Sequence, residues 1–218
     1  MIWILRGERK VTRPGDFGKL KMFLAAALAQ VVERRIVVPK VVGSNPTSRP
    51  TFPIILTPMP SDPKRDLLRH TVATLAYRGG KAVRGAHLEF ADYHAAEKTR
   101  TPAQILAHIG DLLDWALSIA RGKEEWHNAA PLPWDQEVQR FFTALERFDA
   151  YLASDAPLDC PAEQLFQGPI ADALAHVGQI AMLRRMAGSP VKGENYHRAE
   201  IAIGRVGSDQ VPPRREFD

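Results

Sequence analysis

The chain has 218 residues with 45% apolar and 25% charged side chains, a composition that excludes disorder over most of its length. No run approaches the ~20 apolar residues of a membrane-spanning helix, and a single cysteine, Cys160, excludes an internal disulfide framework and multi-thiolate zinc sites. The net charge of +4 is unevenly spread: residues 1–58 carry ten Lys/Arg against Glu8, Asp16 and Glu33, a net of +7, so residues 59–218 carry −3.

Residues 1–58 show no sustained helix or strand period. The run from Met22 to Ala29 has the composition of a short signal-peptide core, but its basic lead of 21 residues is long for one. The stretch Val41-Val42-Gly43-Ser44-Asn45-Pro46 reads like the conceptual translation of a transfer-RNA gene, whose T-arm encodes Gly-Ser-Asn-Pro in one frame. The expectation is a disordered or non-native N-terminal extension, with genuine translation starting at Met59; a genuine disordered basic tail is the alternative. The scarcity of cysteine favours a reducing, cytoplasmic setting.

From residue 59 the sequence predicts four helices. Asp62-Pro63 opens the first with a capping residue and proline at the first helical position; Leu68, Val72 and Leu75 form its stripe, and Gly79-Gly80 is expected to weaken or end it. Residues 81–97 have too poor a pattern to count as a helix. Thr101-Pro102-Ala103-Gln104 is a capping box, followed by a seam of Ile105, Ile109, Leu112, Ala116 and Ile119 and a stop at Gly122. Pro131 to Trp134 leads into a third helix through Val138, Phe141, Leu145, Phe148 and Leu152, with Asp135 and Glu137 placed to favour the helix dipole. Gly168-Pro169 is expected to start the fourth. From Ile170 to Leu183 that helix is apolar nearly all round, which predicts a central, buried rod ending at Gly188 and Pro190. These rods predict an all-α protein, an antiparallel four-helix bundle spanning 59–218 with a C-terminal tail.

The polar exceptions are informative. Asp172 and His176 lie four residues apart on one face of the fourth helix, and His108 interrupts the seam of the second. A buried ionised carboxylate needs a partner, a proton or a cation. Two imidazoles and one carboxylate suffice for a divalent metal with open coordination positions: zinc, nickel, iron or manganese. The alternative is ordinary hydrogen-bonded packing. Gln179 is placed either to orient a ligand from behind or as a plain surface amide. Residues 193–198 can fold back over the site mouth, with His197 and Glu200 at ligand-like spacing. His70, His87, His94 and His127 read as surface residues, Cys160 lacks a nearby base, and Trp115, Trp134, Phe141 and Tyr151 read as core, one of them free to line a pocket.

Ala107-His108-Ile109-Gly110-Asp111-Leu112-Leu113 and Ala175-His176-Val177-Gly178-Gln179-Ile180 resemble the DinB-like (DNA-damage-inducible B, YfiT-like) superfamily of four-helix bundles over residues 59–191. Members place one His on the second helix and His-x-x-x-His-x-Gly-Gln on the last, and these three histidines bind a divalent metal. His108 and His176 match the first and third; Asp172 stands at the middle one. The resemblance implies a metal-dependent enzyme, a thiol-dependent transferase or a hydrolase, acting on a small molecule, with a low-molecular-weight thiol as co-substrate, and a homodimer. A non-catalytic bundle binding a small molecule or a protein is the alternative. The −3 charge of residues 59–218 argues against nucleic acid, and no Walker-type or dinucleotide loop is present.

Overall fold

The computed structural model describes residues 62–217, all within one unit, Thr57–Asp218. The readings made of residues 1–58 and of Met59 lie outside the described residues. Four helical rods dominate: α1 (Pro63–Val83), α2 (Pro102–Ala120), α3 (Trp134–Ala153), and a last rod in which α4 (Ala162–Leu165) passes through a π-helical turn (Phe166–Ile170) into α5 (Ala171–Met186). A two-residue antiparallel pair, β1 (Gly193–Glu194) with β2 (Glu216–Phe217), ties the C-terminal tail together. The expected all-α bundle is therefore present.

The capping chemistry falls where the sequence places it. Asp62 accepts from the Lys64 amide at 2.9 Å. Thr101 and Gln104 exchange both capping-box bonds, at 3.2 and 3.0 Å. Past the end of α2, Gly122 takes a φ of +70°, which a side chain would strain.

Three local expectations are corrected. First, α1 runs straight through Gly79-Gly80, because those glycines serve close packing: a Cβ on Gly79 would lie 2.5 Å from the Phe141 ring. α1 ends at Val83, where buried Arg184 donates to the carbonyls of Ala82, Arg84 and Gly85 and so satisfies orphan acceptors. Second, Gly168-Pro169 lies inside the last rod. The wider π turn accommodates a proline that lacks the N–H and would crowd an α-helical carbonyl. Third, α5 is not a central rod. It buries only Ala173, Val177, Ile180, Leu183 and Arg184, while Met182 remains 60% exposed. Residues 88–92 add a 3-10 turn whose Phe90 meets Trp134 edge to face at 5.7 Å.

Helix directions follow from the cross-links. Ala107 and Asp114 of α2 contact Arg140 and Arg147 of α3 in the same order along both chains, so α2 and α3 run parallel. Arg69 with Asp149 and Gly79 with Phe141 show α1 antiparallel to α3. Lys64 with Glu163 and Ala82 with Arg184 show α1 parallel to the last rod. The bundle thus sets the pair α1/α5 against the antiparallel pair α2/α3. α1 and α2, and likewise α3 and α5, sit on the diagonals.

One consequence shapes the site. Parallel neighbours require the chain to return along the whole of α2, a helix of ~28 Å at ~1.5 Å per residue. Residues 121–133, 13 in number between the two helices, are irregular throughout and supply that return. Their path is fixed by contacts: Glu125 with Ser118, Trp126 with Trp115 and His108, and the Ala129 amide with Asp111. The loop forms one wall of the space beside His108.

Candidate metal centre

The structure brings together all three residues that the sequence singles out. One potential ligand atom from each of His108, Asp172 and His176 lies within 4.8 Å of the other two, the one such grouping of His, Cys, Asp or Glu found among the described residues. His108 Nε2 is 3.8 Å from Asp172 Oδ2, and His176 Nε2 is 3.4 Å from Asp172 Oδ1. The imidazole centroids are 4.8 Å apart with planes at 81°. Donors bound ~2.1 Å from one tetrahedral ion sit ~3.4 Å apart, so the observed separations fit a shared divalent ion after small side-chain adjustments.

One premise of the sequence reading changes. Asp172 is half exposed, at 50%, so desolvation does not force it to find a partner. α5 keeps only one face in the core, and Asp172 sits at the edge that turns toward α2. Its claim to be a ligand rests on position alone. His108 and His176 are better shielded, at 19% and 12%.

The surroundings of His108 suit ligation. Burial pushes His108 below its ordinary value; the charges of His176 and Arg100 push the same way, while Asp172 and Asp111 oppose them. A neutral imidazole is the form a metal needs. His176 Nδ1 lies 2.9 Å from Gln179 Oε1. An amide oxygen only accepts, so this bond places a proton on Nδ1 and turns Nε2 toward Asp172. Gln179, one turn along α5, is thus an exposed amide whose oxygen accepts from the His176 ring.

Cavities open on both sides of the histidine pair. One, of about 490 Å³, is bordered by Gln104, His108, Asp111, Asn128 and Pro131. The other, of about 670 Å³, is bordered chiefly by Ile105, Ala175, His176, Met182 and Leu183. Arg100 lines both. Trp126 packs edge-on to His108 at 5.7 Å and edge-on to Trp115 at the same distance. Neither Arg100 nor Trp126 is singled out by the sequence. Both flank α2 on irregular segments, where no periodicity marks a site residue.

The remaining expectations divide. His70, His87, His94 and His127 are exposed, as read. Trp134 and Phe141 are buried, while Trp115 is half-buried against Trp126. Half-buried Tyr151 donates to the Pro157 carbonyl. Cys160 is half-buried with its thiol pushed up by burial and by Asp159, the opposite of an activated nucleophile. Residues 193–198 do not border either cavity beside the histidines. Glu194 is instead drawn against α1, where Tyr77 donates to it at 2.7 Å and Lys81 pairs with it at 2.9 Å. Asp135 and Glu137 lie in the first turn of α3, as expected, and Glu137 is also buried and pairs with Arg140 at 3.3 Å. No helix among the described residues is long and apolar enough to cross a membrane.

Comparison with family models, with curated proteins and with solved structures gave no match.

Proposed function

We propose that the chain is a divalent-metal-dependent enzyme of the DinB-like superfamily acting on a small molecule, with His108, Asp172 and His176 as its metal ligands. The observation that carries the reading is the convergence of these three donors from two separate helices, with one cavity bordered by His108 and another by His176. Three protein ligands leave coordination positions open, the pattern of a catalytic rather than a structural site. A zinc, nickel, iron or manganese ion held there supplies Lewis acidity that lowers the pKa of a coordinated water or thiol, as a hydrolase or a thiol-dependent transferase requires. The chain's own contribution is orientation and shielding. Gln179 fixes the His176 tautomer, Trp126 packs against His108, and open clefts border both imidazoles.

The second reading, a metal-free binding bundle, draws on the same contacts, because Asp172 set between two imidazoles is also a plain polar cluster. Elemental analysis of the full chain, purified without a histidine tag and exposed to each candidate ion, separates the two. Stoichiometric metal in the parent and its loss in both His108→Ala and His176→Ala is the expected result. A parent that takes up no ion, or a variant that keeps a full complement, sinks the enzymatic reading.

A further inference from the structure

Arg100 precedes the α2 cap and borders both cavities, the one beside His108 and the one beside His176. Its side chain is exposed, and it forms no ion pair or hydrogen bond with any described residue. Other arginines of the bundle are committed. Arg140, close by on α3, is engaged by Asp111, Asp114 and Glu137. Arg69 of α1 holds Asp149 with two bonds, and Arg184 is committed to backbone carbonyls. An uncommitted guanidinium bordering two cavities has five donors in a planar fork that matches a carboxylate.

The two cavities differ in character. The one beside His108 is walled by polar groups of Gln104, Asp111 and Asn128. The one beside His176 is walled by Ile105, Ala175, Met182 and Leu183. Its floor contains Gly178, where an added Cβ would meet nothing within 4 Å, so that side of α5 stays open. Met182 offers a flexible apolar surface that is 60% exposed without a ligand. A volume of about 670 Å³ lies in the range of small-molecule pockets.

The geometry points to an amphiphilic small-molecule carboxylate as the substrate class, with its carboxylate on Arg100 and its apolar arm along Ile105, Ala175, Met182 and Leu183. This rests on the proposed metal site, because it places the arm beside His176 and the carboxylate within reach of both chambers. Arg100 sets which molecules enter and in which direction they lie. It is a binding residue, not one that moves a proton.

The probe is octanoate, titrated by calorimetry into the zinc-loaded full chain, with 1-octanol as the uncharged control and bound zinc measured in every sample. Octanoate is expected to bind at least tenfold more tightly than octanol. Arg100→Gln removes that preference without changing zinc content or octanol binding, and Arg100→Lys restores part of it. Met182→Asp weakens both probes. Equal octanoate affinity in the parent and in Arg100→Gln overturns the inference, since the carboxylate is then held by the metal or not at all. No preference for octanoate in the parent overturns it too. Failure of the metal reading appears separately, as a parent without zinc.

Discussion

His108 and Asp111 stand one turn apart on α2 and border the same cavity, yet their surroundings differ in kind. Asp111 is 2% exposed and both its oxygens are engaged, one by Arg140 and the other by the Ala129 amide at 3.1 Å. Arg140 in turn reaches Asp114, Glu137 and the Ala107 carbonyl. His108 makes no hydrogen bond among the described residues; its Nε2 looks across 3.8 Å to Asp172. A polar group with every valence used holds helices together. One that keeps a lone pair directed at a cavity is available for chemistry. The closed cluster fixes α2, α3 and the return loop, and the open one uses the rigidity so gained.

The comparison breaks most directly at Arg140. Arg140→Met leaves Asp111 and Glu137 buried without a counter-charge, and losing one member of a buried ionic cluster costs about 3–5 kcal/mol. Urea unfolding of the metal-free protein should show that loss. His108→Ala, unfolded the same way, should lose far less, because Asp172 is half exposed and the polar atoms of His108 are unbonded. Equal losses in the two variants would erase the division between a structural and a chemical cluster.

A smaller effect sharpens the open side. Gln179→Leu removes the acceptor that holds the His176 proton on Nδ1. Loss of such an outer contact typically weakens metal binding about 10- to 100-fold. Gln179→Glu keeps an acceptor and should retain most of the affinity. Because Gln179 is exposed, the metal-free protein should unfold within ~0.5 kcal/mol of the parent in both variants. Competition against a chelating dye reads the affinities. If Leu and Glu at this position behave alike, the bond does not orient the imidazole.

Legibility followed the range of the interaction. α2 could be read from start to end because its capping box, seam and terminal glycine are all local. Asp172 and His176 could be paired because one helical turn relates them, and His108 because it interrupts an apolar seam. Gly79 could not, since its small size matters only against Phe141, some sixty residues further on. Gly168-Pro169 carried a correct local signal, a perturbed helix, that tertiary packing resolved as a π turn instead of a start. The apolar periphery of α5 misled for a related reason: the sequence shows that a face is apolar, not that something covers it. Trp126 joins the site because α2 and α3 run parallel and force a long return loop, and Arg100 comes from the irregular segment ahead of α2. The one sequence trace of this was a connection longer than the ~2–8 residues usual between bundle helices.

The smallest expected effect concerns pH, and the two clusters should respond with opposite signs. Burial pushes the Glu137 carboxyl above its ordinary value; the nearby Arg140 pulls the other way and Asp111 adds to the rise. Between the ordinary glutamate value and the raised one, the folded state holds a proton that the unfolded state has released. Stability contributed by this group is therefore present at acid pH and lost as pH rises through the folded value. Glu137 Oε2 has no hydrogen-bond partner, so Arg140 on Oε1 offsets the ionised carboxylate only in part. His108 is depressed, and its neutral form is favoured in the folded state. The folded state is thus penalised as pH falls below the ordinary histidine value, which also releases a bound metal. Glu137→Gln should flatten the alkaline side of the metal-free stability profile, by no more than about 1 kcal/mol at neutral pH. Its acid side, set in part by His108, should stay as it was. Urea midpoints measured from pH 5 to 8 test this. An unchanged slope above the glutamate range would mean that Glu137 is ionised throughout and that Arg140 neutralises it in full.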